Sequence, residues 1–104
     1  MNLKFLFGPF NLIEEIPEGI CDIKALEIIH FNNCNIKQIP KITTKKCKFV
    51  HFANNNIEDI DIDNLKALEL RKLQLEGNPC FKERKVEINE MLKQIEERVG
   101  IVIE

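Results

Sequence analysis

The stretch Leu26–Pro40, LEIIHFNNCNIKQIP, spaces its apolar residues in a way that suits neither a helix nor a simple alternating strand. Leu26, Ile29, Phe31, Ile36 and Ile39, with Cys34 between them, read L-x-x-L-x-L-x-x-C-x-L-x-x-L-P. Alternation is confined to Ile29 and Phe31, which fits a short strand sending two side chains inward before a sharp turn. A single unit of this kind cannot bury its inward face alone, so the spacing demands stacked copies.

Copies are present. Shifting forward by 21 residues, CKFVHFANNNIEDI places Cys47, Val50, Phe52, Asn55, Ile57 and Ile60 on the same positions. A further 23 residues give Leu70, Leu73, Leu75 and Asn78 from LRKLQLEGN. Moving back by 23 gives Leu3, Leu6, Gly8, Asn11, Ile13, Ile16 and Pro17. Gly8 stands where a large apolar residue belongs, so this first unit is expected to be an irregular edge coil. The column Asn11, Cys34, Asn55, Asn78 suits side-chain amides that bond backbone groups of neighbouring coils, each group costing about 1–3 kcal/mol if buried unpaired. Cys34 imitates that only weakly. Replacing Asn55 by Ala is therefore expected to destabilise the chain, and replacing the outward Asn54 to change little.

Between the units run connectors. Ile20 and Ile23 in residues 17–23 predict a short helical or 3₁₀ segment, and the β-branched residues 40–46 an extended or turn conformation. Ile62, Leu65 and Leu68 in residues 61–69 leave room for another short helix. After Asn78 the period changes: Pro79 suits a helix start, and Ile88, Leu92, Ile95 and Val99 follow at helical spacing over residues 81–99. Gly100 is the expected stop, and Ile101–Ile103 reads as a short strand. An amphipathic helix of this kind covers the open end of a stacked array.

With these residues in view, the chain resembles the intracellular leucine-rich-repeat superfamily. Its end, LEGNPCFKERKVEINEMLKQIEERVGIVIE, is similar to the helical C-terminal cap of intracellular members. The resemblance implies an α/β solenoid of about four short coils, with a parallel concave sheet and a C-terminal capping helix. The whole chain is expected to form one domain: an irregular first coil over 1–25, repeats over 26–46, 47–69 and 70–80, and a cap over 81–104. Family members most often bind proteins on the concave side, as adaptors, regulatory subunits or parts of larger complexes. This chain departs from the family in its shortness and in the Ile, Phe and Cys that replace leucine.

Composition excludes several function classes. The net charge of −2 gives no global reason to expect nucleic acid or an anionic membrane. No stretch approaches the roughly 18 apolar residues of a membrane helix, and Gly8-Pro9 interrupts the one N-terminal run that imitates a signal peptide. Cys21, Cys34, Cys47 and Cys80 form no C-x-x-C pair and read as reduced thiols of an intracellular protein, cytoplasmic or nuclear. No catalytic motif occurs, and neither a cofactor nor a small-molecule substrate is expected. Asp59, Asp61 and Asp63 imitate a calcium loop, but Asn64 replaces its turn glycine and Leu70 its twelfth-position glutamate. His30 and His51 share a column without the further ligands a zinc ion needs.

The residues between inward positions define the outward face. The first column holds Phe5, Ile28, Phe49 and Lys72, the second Phe7, His30, His51 and Gln74, with Asn32 and Asn54 in the next two. Aromatic residues beside amides and imidazoles suit a protein contact, and these ten are the expected concave site for another protein or a multi-protein complex. A basic cluster at Arg71, Lys82, Arg84 and Lys85 offers a secondary contact. It also carries the alternative reading, a ribonucleoprotein subunit contacting RNA phosphates together with Lys45, Lys46, Lys48 and Lys72.

Overall fold

The computed structural model describes residues 4–17, 19 and 23–100. Four three-residue strands, β1 (Phe5–Phe7), β2 (Ile28–His30), β3 (Phe49–His51) and β4 (Lys72–Gln74), form one parallel sheet in chain order. Phe5 pairs with Ile28, Ile28 with Phe49 and Phe49 with Lys72, so the columns read from the sequence are the register of the sheet. The middle residue of each strand turns inward: Ile29 and Val50 are fully buried, Leu73 nearly so, and Leu6 partly.

Each coil turns the same way after its strand. Phe10, Asn33, Asn54 and Gly77 all have left-handed backbone, with φ of 59°, 59°, 57° and 80°. The turn aims the next N–H at the following coil: Phe10, Asn33 and Asn54 donate to the carbonyls of Asn32, Ala53 and Glu76 at 2.9, 2.9 and 2.8 Å. Asparagine and glycine enter this region at little cost, so the repeated backbone path selects them.

The first strand is not irregular. It pairs in the common register, and the hollow at Gly8 is filled from the neighbouring coil, because a Cβ there would lie 2.7 Å from Phe31 Cε1. Phe31 in turn stacks on Phe52, with ring centroids 6.1 Å apart. One continuous core runs between the sheet and the connectors, joining Leu26, Cys47 and Leu70 to Ile36, Ile57 and Cys80.

The connectors follow their local chemistry. Residues 40–44 form neither helix nor strand and Lys45 and Lys46 make a turn, and the Asn64 amide holds the segment, accepting from Ile42 N–H at 3.1 Å and donating to its carbonyl at 2.9 Å. Asn64 belongs to helix α1 (Ile62–Ala67), whose N-cap Asp61 accepts from Asn64 N–H at 3.1 Å. In the connector expected at 17–23, Glu18 and residues 20–22 lie outside the described residues, as does the strand expected at 101–103.

The expected single cap helix is two helices, α2 (Pro79–Glu83) and α3 (Lys85–Val99), broken at Arg84 with φ −114° and ψ 34°. Ile88 and Met91 are the buried residues of α3, while Leu92 and Ile95 pack beside them half-buried. Gly100, left-handed at φ 76°, ends α3 with its N–H on the Glu96 carbonyl at 3.0 Å. No helix of the described residues is long and apolar enough to cross a membrane.

Candidate functional site

The strands place eight of the ten expected concave residues on one sheet face in two rows, Phe5–Ile28–Phe49–Lys72 and Phe7–His30–His51–Gln74. Strands lie about 4.8 Å apart, so each row is a contiguous surface. Phe5 and Phe7 are 54% and 64% exposed, which settles that coil 1 does not bury them. Ile28 and Phe49 are half-buried, and Lys72 is exposed.

The second row is tied together along its length. Phe7 meets His30 edge to face with centroids 4.6 Å apart, and His30 lies 4.8 Å from His51. His51 Nδ1 bonds Gln74 Oε1 at 2.7 Å, and Asn32 Nδ2 donates to the same oxygen at 2.8 Å. Because an amide oxygen only accepts, the Nδ1 of His51 donates in this bond. Asn32 also accepts from the Ala53 N–H at 2.8 Å, so its orientation is fixed from both ends. Burial, then the neighbouring His51 and Lys72, holds the His30 imidazole below its ordinary pKa. A neutral His30 beside a Nδ1-protonated His51 makes this row a hydrogen-bonding strip edged by aromatic rings.

Asn54 has a different part. It is exposed at the turn, but its left-handed backbone gives its position a conformational reason, and a Cβ on Gly77 would collide with its Oδ1. Two further residues of the first coil stand outside the ten expected ones. Phe10 is left-handed and 79% exposed, and Leu12 is 98% exposed. The signal for Phe10 was there: the equivalent positions carry only Asn or Gly.

The basic cluster is divided. Arg84 Nε donates to Asp59 at 3.0 Å and its Nη1 to Glu87 at 2.9 Å, and these carboxylates hold the guanidinium above its usual pKa. The Asp59 carboxyl lies below its usual range, through the Ile60 N–H first and Arg84 second. Lys48 Nζ donates to the Leu68 carbonyl at 2.8 Å at the end of α1. Arg71, Lys82 and Lys85 are exposed. The D-x-D-x-D run serves structure: Asp59 pairs with Arg84, Asp61 caps α1 and Asp63 sits in its first turn. Among the described residues, no group of three or more His, Cys, Asp or Glu side chains is placed to hold a metal ion.

No protein-family model matches the sequence, and no curated protein is similar to it. Among solved structures, a leucine-rich-repeat (LRR) protein of Leptospira interrogans superposes with a TM-score of 0.77 at 26% identity, over 88% of this chain and 24% of its own length. The chain thus spans about a quarter of that neighbour, sharing its stacked-coil architecture.

Proposed function

We propose that this chain, a short leucine-rich-repeat solenoid closed at its C-terminus by helices, is a non-catalytic protein-binding module that engages its partner on the concave face. The fold is that of an interaction scaffold. The observation that carries the reading is the double row on the sheet, an apolar line of Phe5, Ile28 and Phe49 beside the bonded strip of His30, His51 and Gln74. An apolar centre flanked by oriented polar groups is the composition of a binding hot spot. The partner is another protein or a multi-protein complex, in which this chain acts as a small adaptor or subunit. An intracellular setting is supported by the free thiols of Cys34, Cys47 and Cys80.

The test compares wild type with a Phe49→Ala/His51→Ala double variant, both immobilised and exposed to lysate of the source organism. A partner held by wild type, released by the double variant and indifferent to salt is the expected result. Retention by both proteins, falling linearly with log salt at a slope of several units, would instead assign the contact to phosphates at Arg71, Lys82 and Lys85.

A further inference from the structure

Large exposed apolar side chains are distributed unevenly. Those of the described residues are Phe5, Phe7, Phe10, Leu12 and Val86, and all but Val86 belong to the first coil. Among the described residues, β1 of that coil is the edge strand of the sheet.

The backbone of β1 is also open on that side. In the interior of the sheet, the N–H groups of Ile28, Phe49 and Lys72 reach back to the carbonyls of Lys4, Glu27 and Lys48 at 3.1, 3.3 and 3.1 Å. The carbonyls of His30, His51 and Gln74 accept from Gly8, Phe31 and Phe52 of the preceding coil at 2.9, 2.8 and 2.9 Å. The corresponding groups of β1 are Phe5 N–H and Phe7 C=O. In a parallel ladder the N–H and C=O of one residue point to the same side, so both groups of both phenylalanines face outward from the edge.

We propose that this edge is a self-association site: two copies pair their β1 strands antiparallel about a two-fold axis at Leu6, making one eight-stranded sheet. The edge is complementary to itself in that arrangement. Phe5 of each copy stands opposite Phe7 of the other and exchanges both backbone bonds with it, and the rings form aromatic cross-strand pairs. The exposed parts of the four apolar side chains amount to roughly 500 Å² per copy, so a pair that covers all four would bury about 1,000 Å², where specific interfaces begin.

Association stops at two copies because the other end of the array is closed. Arg98 of α3 donates to the Leu70 carbonyl beside β4, and α3 packs against that strand, so a head-to-tail stack is blocked. The aromatic Phe10 at a backbone angle the other coils give to Asn or Gly is a local strain that an interface would justify. This contact shares Phe5 and Phe7 with the concave face but leaves Ile28, His30, Phe49 and His51 uncovered, so substitutions at Phe49 and His51 separate the two readings.

Sedimentation velocity over a concentration series, with hydrogen exchange on the same samples, tests it. Wild type should pass from monomer to dimer as concentration rises, while the Phe5 and Phe7 amides slow in parallel. A Phe5→Lys/Phe7→Lys variant, which opposes like charges on exposed positions, should raise the dissociation constant about a hundredfold or more. Phe5→Pro removes an N–H that faces away from β2 and should raise it about tenfold. The Phe49→Ala/His51→Ala variant should dimerise like wild type. A wild type that stays monomeric, a dimer that survives the lysines, or one dissolved by Phe49→Ala/His51→Ala overturns the proposal.

Discussion

Asn55 shows what the amide column does. Its Nδ2 donates to the carbonyls of Phe31, Phe52 and Ala53 at 2.9, 3.0 and 3.2 Å, and its Oδ1 accepts from Ile36 N–H at 3.0 Å. Asn78 repeats the arrangement one coil later, accepting from Asn55 N–H and Ile57 N–H at 3.2 and 3.1 Å. Cys34 performs half of it: its thiol reaches the Gly8 carbonyl at 3.2 Å but offers a poor acceptor to the coil before. Cys34→Asn should therefore stabilise the chain by about 0.5–1.5 kcal/mol, read as a higher urea midpoint at unchanged slope. Asn55→Ala in the same assay should cost about 1–3 kcal/mol, and equal losses for Asn55→Ala and Asn54→Ala would count against the register. The sequence showed which asparagine in the Asn54-Asn55-Asn56 run points inward, because that follows from the repeat. It did not show that Asn54 bends the chain, since a positive φ leaves no apolar pattern to read, and the expectation that Asn54 is neutral does not account for that bend.

At the scale of elements, the acidic connector separates into distinct tasks that composition alone blends. Asp61 caps α1, so Asp61→Ala should lower stability by about 1 kcal/mol, seen as a lower melting temperature. Asp63→Ala, which loses only a favourable charge in the first turn, should cost a few tenths of that to about 1 kcal/mol. A larger loss at Asp63 than at Asp61 would contradict the capping role. The cap was legible as helical because Ile88, Leu92 and Ile95 keep their spacing, yet its break was not. Cys80 occupies the place of Ile36 and Ile57 in the coils, with its N–H on the Ile57 carbonyl at 2.9 Å, so α2 starts while the chain still follows the solenoid. Arg84 then leaves helical geometry to reach Asp59 and Glu87. Met91, buried on the same helix, fell outside the stripe read from the sequence because that stripe took Leu92 in its place.

The whole molecule is held by one continuous core, and its thiols report on it. Burial pushes Cys47 and Cys80 up to about 11, well above the ordinary thiol range. At pH 8 both are protonated and unreactive until the coils open, so their alkylation should follow global unfolding. Peptide mapping after a timed pulse of iodoacetamide should show the half-buried Cys34 modified before Cys47 and Cys80, which follow together as denaturant rises. Cys80 reacting well before Cys47 would instead mean that the helical end detaches on its own. The parallel sheet and its register were legible because a fixed period repeats at defined positions. The exposure of Phe5, Phe7, Phe10 and Leu12 was not, because the repeat pattern says which side chains point inward and not how far the outward ones are covered. Coils 1 and 2 divide a single volume between Gly8 and the Phe31 ring. A bulky residue therefore fits at position 8 only if position 31 shrinks, which makes the chain interchangeable by units from its second turn onward and bespoke at its first.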